Sequence, residues 1–171
     1  MAIRWPNATI YGFEPHPLYF EKACKSLCEF SNITLYCQAL SNACGLQKFY
    51  LAGPGSSLLM PAIAGFFPSE KDTLVIVPII TLDAWAEKNA IERVDFLWLA
   101  LEGFELPVLQ AAPVLLKSVR VIYIEVNLFD FWEGTTRYHE LKSWLEQKKF
   151  CEYWKNIIDD LHGNAIFVRR E

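Results

Sequence analysis

Three acidic residues stand at the ends of apolar runs in this chain. Glu14 follows ATIYGF (Ala8–Phe13), Glu102 follows the run Phe96–Leu101, and Glu125 closes the apolar part of RVIYIEV (Arg120–Val126). Four to eight apolar residues followed by turn chemistry read as a buried strand of a parallel sheet. Ligands of open α/β sheets gather at the carboxyl ends of such strands, so three positions far apart in sequence are expected on one sheet edge. There, Glu14 is placed to accept hydrogen bonds from a ribose diol, or alternatively to cap the helix that follows. Glu102, before Gly103, suits a general base or a substrate ligand, and equally a cap for a helix starting near Phe104. Glu125 with Asn127 would position a hydroxyl or a cation, or else pair with Arg120 or Arg137. Ser56 and Ser57 are candidate ligand-binding hydroxyls on the adjoining loop, although turn residues often look the same. No G-x-G-x-x-G, P-loop or nucleophile-elbow pattern occurs.

The elements that must position these groups follow from periodicity. Ala8–Phe13 predicts a strand stopped by Glu14-Pro15-His16-Pro17, where Pro17 suits the first turn of a helix. Phe20, Ala23, Cys24, Leu27 and Cys28 recur at helical spacing and predict an amphipathic helix to about Phe30. Ile33–Leu40 and Leu46–Leu51 read as strands. Residues 52–73 are rich in Gly, Pro and Ser yet carry Leu58, Leu59, Met60, Phe66 and Phe67, which predicts a flap over the site. Leu74–Ile80 predicts a strand that Pro78 confines to an edge or bulge. Thr81 then caps a helix to about Ala90.

The strand ending at Leu101 comes next, with Trp98 expected in the core. A helix over Phe104–Leu116 is interrupted at Pro113. After the strand Arg120–Val126, Thr135 or Thr136 caps a helix to Lys149. A terminal hairpin joins Phe150–Trp154 to Ala165–Arg169 around His162-Gly163-Asn164. The predicted fold is therefore one α/β domain over residues 1–171, a doubly wound, mostly parallel sheet with a C-terminal antiparallel hairpin.

Composition narrows the class. At 171 residues with 53% hydrophobic and 21% charged residues, the chain can bury a substantial core. A net charge of -4 without a Lys/Arg block argues against nucleic acid as the primary partner. No apolar run is long enough for membrane insertion and no signal-type start is seen, so a cytoplasmic location is expected. The five cysteines form no C-x-x-C pair, and His16, His139 and His162 lie in no matching register. Buried free thiols are expected and no metal site.

With these residues laid out, the chain resembles the FkbM family of S-adenosylmethionine-dependent methyltransferases from about Trp5 to Val126. YGFEPHP resembles the family's F-E-P-x-P ribose-binding turn, and Ala39-Leu40-Ser41 its A-x-S segment near the adenine. Gly55-Ser56-Ser57-Leu58 resembles its serine loop, and Ile80-Thr81-Leu82-Asp83 its T-L-D helix start. VDFLWLALEGFELPVLQAA resembles D-F-L-K-I-D-x-E-G-x-E-x-x-V-L-x-G-A, and IYIEVN resembles I-x-x-E-x-H.

The resemblance implies a class I, Rossmann-like methyltransferase fold, S-adenosylmethionine as cofactor, and O-methylation of a hydroxyl on a small molecule, sugar or lipid. Phe13, Glu14, Pro15, Ala39, Leu40, Ser41 and Gly103 would bind the cofactor. Glu102, Glu125 and Asn127 would be catalytic, with Ser56 and Ser57 on the substrate flap. Two departures stand out. Ala100 takes the place of the pattern's Asp, removing a possible base, metal ligand or cofactor contact. The family's first strand, glycine loop and first helix would lie before Met1, so the strands Ala8–Phe13 and Val94–Leu101 either become neighbours or leave a hydrophobic slot. Such a seam offers a route to homo-oligomers. The alternative reading is a catalytically inactive methyltransferase-fold remnant that binds a ligand or a protein.

Overall fold

A computed structural model describes residues 1–63, 74–158 and 160–170. Part of the expected flap, residues 64–73 with Phe66 and Phe67, lies outside the described residues. Among the described residues the architecture is α/β with mixed sheets, in three hydrogen-bonded groups. β1 (Ile10–Phe13) runs parallel to β2 (Ile33–Tyr36), in register from Ile10↔Ile33 to Phe13↔Tyr36. Between them α1 (Pro17–Leu27) starts on a proline at its first turn, where the missing N–H costs no bond. A second group has the order β3 (Ala39–Leu40), β5 (Leu74–Ile80), β4 (Gly45–Tyr50), with β3 parallel and β4 antiparallel to β5. The third has the order β6 (Phe96–Leu99), β7 (Val121–Asn127), β9 (His162–Arg169), β8 (Phe150–Ile158). β6 is parallel to β7; β9 is antiparallel to both β7 and β8.

The core gathers on the third group. Leu97 and Leu99 alternate inward along β6, and Ile122, Ile124 and Val126 along β7. They share one cluster with Leu82, Trp85 and Ala86 of α2 (Leu82–Lys88), Val108 and Leu109 of α3 (Glu105–Gln110), and Leu141 and Leu145 of α4 (Tyr138–Gln147). Thr81 caps α2 as expected, its Oγ1 accepting the Ala84 N–H at 3.1 Å.

Several sequence expectations are corrected. The run Ile33–Leu40 is split at Cys37-Gln38, and its halves join different groups. Pro78 lies in the middle strand of its group, not at an edge. Residues two apart in a strand face the same neighbour, so Pro78 faces the side of Ile80, towards β3. There β3 pairs only with Ile79 and Ile80, and the ladder has run out where the proline lacks its donor.

Neither Thr135 nor Thr136 caps α4. Arg137 occupies that position, and its N–H is accepted by the Glu140 carboxylate at 3.3 Å. His162-Gly163-Asn164 is strand, not turn, and the antiparallel pair β8–β9 is correspondingly longer than predicted. A Cβ on Gly163 would fall 2.1 Å from the Asn156 carbonyl oxygen, so this glycine serves close backbone approach. Trp98 is 58% exposed rather than core, edge-on to Tyr123 at 5.1 Å. The thiols are not buried: Cys24, Cys28, Cys37 and Cys44 are exposed and Cys151 is intermediate. For Cys24 and Cys28 the reason is local, because α1 buries none of its residues.

Candidate active site

The carboxyl ends of β1 and β6 meet. Glu14 and Glu102 line one small cavity of about 120 Å³, together with Phe13, Pro15, Ala39 and Leu40. Glu14 is half-buried, and its Oε1 accepts the His16 backbone N–H at 2.7 Å. Burial raises its pKa above the ordinary carboxylate value, with that N–H pulling the other way. His16 also lines the cavity, its ring 4.4 Å from that of Tyr19, and its buried Nδ1 has no hydrogen-bond partner among the described residues.

A strained turn presents Glu102. Its φ is +52°, in the left-handed region that costs a non-glycine residue about 1–3 kcal/mol, and Gly103 follows at +94°. Four contacts hold the turn. The Ser57 hydroxyl donates to the Glu102 carbonyl at 3.0 Å, and the Thr136 N–H donates to the Gly103 carbonyl at 3.2 Å. The fully buried Glu105 accepts the N–H groups of Leu101 at 2.7 Å and Gly103 at 3.4 Å through one carboxylate oxygen.

Behind the turn the charges crowd. Burial pushes Glu105 up to about 7, against its backbone hydrogen bonds. Burial, then the neighbouring Glu102 and Glu105, push Glu125 up to about 8. Glu102 is raised by burial and restrained by a hydrogen bond from Trp132 and by His162. Burial is the first cause of each shift, and repulsion from Glu102 adds to it at Glu105 and Glu125, so the charged forms of these carboxyl groups are disfavoured relative to water.

The expected residues separate into two sets. Phe13, Glu14, Pro15, Ala39, Leu40, Ser56 and Glu102 share the cavity wall. Ser41, Ser57, Gly103, Glu125 and Asn127 do not line it. Ser41 and Ser57 are buried, the former 3.4 Å from Gln47 Oε1. Ser56 donates to the Gly53 carbonyl at 2.6 Å and accepts the Ala52 N–H, which makes it a turn residue that also faces the cavity. Asn127 is buried at the end of β7, its side-chain nitrogen without a partner among the described residues. Arg137 does not pair with Glu125; it holds Asp130 at 2.6 Å. Sequence reasoning passed over Glu105, His16, Trp132 and His162. For Glu105 the signal was present: Glu-Gly-x-Glu puts a second carboxylate at the start of a helix, where it can reach back to the N–H groups of the turn.

A family model described as the methyltransferase FkbM domain matches residues 1–152. The chain belongs to the FkbM methyltransferase family. The match reaches beyond Val126, so the family pattern continues through α4 and into β8. A relative, the 2-O-methyltransferase NoeI of Sinorhizobium fredii (strain NBRC 101917 / NGR234), is 22% identical over 140 residues, which is 75% of this chain and 58% of the relative. The chain thus spans little more than half the relative's length. No solved structure matches significantly.

Membership of this family implies S-adenosylmethionine, and the residues fit part of it. One Glu14 oxygen takes the His16 N–H and leaves the other for a diol, while Phe13, Ala39, Leu40 and Phe49 offer apolar walls to a flat base. The volume is too small for the whole cofactor, since ligand pockets begin near about 300 Å³. Phe13 and Leu40 also line a second, larger cleft, so the two spaces adjoin. Ala100 sits on the small cavity's wall.

Proposed function

We propose that the chain is the S-adenosylmethionine-binding part of an O-methyltransferase acting on a hydroxyl of a small molecule, sugar or lipid. The observation that carries this reading is the meeting of Glu14 and Glu102 at one strand-end cavity in a chain of the FkbM family. On this reading β1–β2 and β6–β7 are two parts of one doubly wound sheet. Glu14 takes the ribose hydroxyls, Phe13, Pro15, Ala39 and Leu40 flank the base, and Ser41 and Gly103 support these walls from behind. Ser56 and Ser57 hold the base of the flap. S-adenosylmethionine, when bound, supplies an electrophilic methyl group on a sulfonium. The chain's task is to hold an acceptor oxygen in line with that carbon and remove its proton as the C–O bond forms and the S–C bond breaks.

Glu102 on the cavity wall takes that proton, with Glu125 behind it sharing the charge and Asn127 orienting the pair. A carboxylate base must be ionised to act, so transfer should rise with pH through the range in which Glu102 and Glu125 lose their protons, the latter near 8. Calorimetric titration with S-adenosylhomocysteine tests the cofactor assignment. Binding is expected, and Glu14→Ala should weaken it about tenfold or more, the usual cost of a charged hydrogen bond. No heat at millimolar ligand, or an unchanged affinity in the variant, sinks the assignment. The second reading, an inactive fold that binds a ligand or protein, is favoured by Ala100 and by the small cavity; cofactor binding without methyl transfer to any hydroxyl acceptor would select it.

A further inference from the structure

His16 stands between two prolines, in the run Glu14-Pro15-His16-Pro17. Each proline ring fixes its own φ and keeps the residue before it extended, so the backbone here has little freedom. His16 accordingly has φ -73° and ψ 115°, and it occupies the cap position before α1. A polar side chain at that position usually bonds the open N–H groups of the first helical turn. The His16 side chain makes no such bond. Its backbone N–H goes to Glu14 Oε1, and its ring lies against the ring of Tyr19.

The imidazole is thus held in place, and the residue is only 8% exposed, yet Nδ1 has no hydrogen-bond partner among the described residues. The large majority of buried polar atoms in folded proteins are paired, so an open one calls for a specific reason. Its position gives one. His16 and Glu14 line the same small cavity, and the ring is near enough to act electrostatically on the Glu14 carboxyl.

We infer that His16 is the second acceptor for the cofactor's ribose diol, its imidazole taking one hydroxyl while Glu14 takes the other. This rests on the S-adenosylmethionine reading above. A vicinal diol offers two O–H donors, and each needs an acceptor once buried. One Glu14 oxygen is committed to the His16 N–H, which leaves the other for one hydroxyl. An imidazole carrying a single proton accepts at its second nitrogen, which suits the other. The remaining side-chain oxygens of the cavity are less well placed. Ser56 is engaged with Gly53 and Ala52, the Tyr19 hydroxyl lies 3.6 Å from where a Cβ on Gly53 would stand, and Glu102 follows β6 rather than β1. A ligand lacking either hydroxyl would leave Glu14 or His16 unpaired, so the pair selects a ribonucleoside over its deoxy forms.

Isothermal titration of the whole chain with S-adenosylhomocysteine and with its 2′-deoxy and 3′-deoxy forms reads the two acceptors separately. The parent chain should bind each deoxy form about tenfold more weakly than the full ligand. His16→Phe keeps a ring against Tyr19 and removes both nitrogens. It should weaken the full ligand about tenfold, yet leave unchanged the affinity for the deoxy form that lacks the hydroxyl His16 takes. Glu14→Ala should be indifferent to the other deoxy form, and His16→Asn, which restores an acceptor, should recover part of the loss. An unchanged affinity in His16→Phe overturns the inference, and so does an equal loss for all three ligands, which would mark a structural role. Equal binding of the three ligands by the parent chain overturns it without any variant. If the parent chain does not bind S-adenosylhomocysteine, the cofactor reading and the inference fall together. If Glu14→Ala weakens binding and His16→Phe does not, the inference alone falls.

Discussion

A buried carboxyl group without a cation must be held by something else, and Glu105 is held by two backbone N–H groups of the turn that presents Glu102. Its pKa rises from an ordinary 4.5 to about 7. Between those values the folded chain keeps a proton that the unfolded chain has released, so raising the pH through this window favours unfolding. Each group contributes at most about 1.4 kcal/mol per pH unit, and Glu125, near 8, extends the window upward. Urea unfolding should therefore show lower stability at pH 8 than at pH 5, and Glu105→Gln, which keeps an acceptor, should flatten the slope. A steeper fall in the variant would refute this account. At the next position but one, Gly103→Ala would meet both a φ of +94° and a Thr135 Oγ1 2.8 Å from the new Cβ. A loss of about 2–4 kcal/mol is expected by the same measurement, and a change below about 0.5 would show that the turn relaxes freely.

At the scale of elements, side chains reach across gaps that sequence periodicity cannot register. Asp83, in the first turn of α2, accepts the N–H groups of Val114 at 2.9 Å and Leu115 at 2.7 Å, some thirty residues away. Asp83→Ala should cost about 1–3 kcal/mol by leaving both donors open, whereas a pure helix-dipole role would cost under about 1; thermal unfolding separates the two. What was legible in the sequence was local: the proline start of α1, the Thr81 cap, and the strands ending near Glu14, Glu102 and Glu125. What was not legible was pairing. Pro78 and Gly163 carry signals that usually mean edge and turn, yet both lie within paired strands, because the partner's ladder ends beside one and a neighbouring backbone crowds the other. Trp98 is exposed for a related reason, since alternation gives the face of a side chain but not whether anything covers that face. At the site, the motif residues were readable one by one, while the burial that raises Glu102, Glu105 and Glu125 together is set only by the fold.

Across the whole molecule, the strands differ in how many neighbours they have, and backbone protection should follow. Among the described residues, β7 is bonded on both sides, to β6 and β9, while β1 and β6 each have one bonded edge. In native-state hydrogen exchange, Ile122 to Val126 should be among the slowest amides. The Ile10 and Glu14 N–H groups donate to Asn32 and Tyr36, and the Asp95 carbonyl accepts from Val121. Along β1 and β6 the amides of Tyr11, Phe13, Phe96 and Trp98 therefore face away from the paired strand, and they should exchange much faster than those of Gly12, Leu97 and Leu99. Uniform protection along either strand would mean that its second edge is covered in solution.

The position of β9 has a consequence for the order of assembly. Of the described strands it is the last to be made, yet it lies inside its sheet, between β7 and β8. During synthesis β7 must wait with one edge bare until the residues after His162 leave the ribosome, and only then can Phe167 close over Ile122. Loss of the final strand would remove the keystone of the third group rather than trim its rim. A ribosome-bound nascent chain stalled before His162 would present the β9-side edge of β7 to other chains.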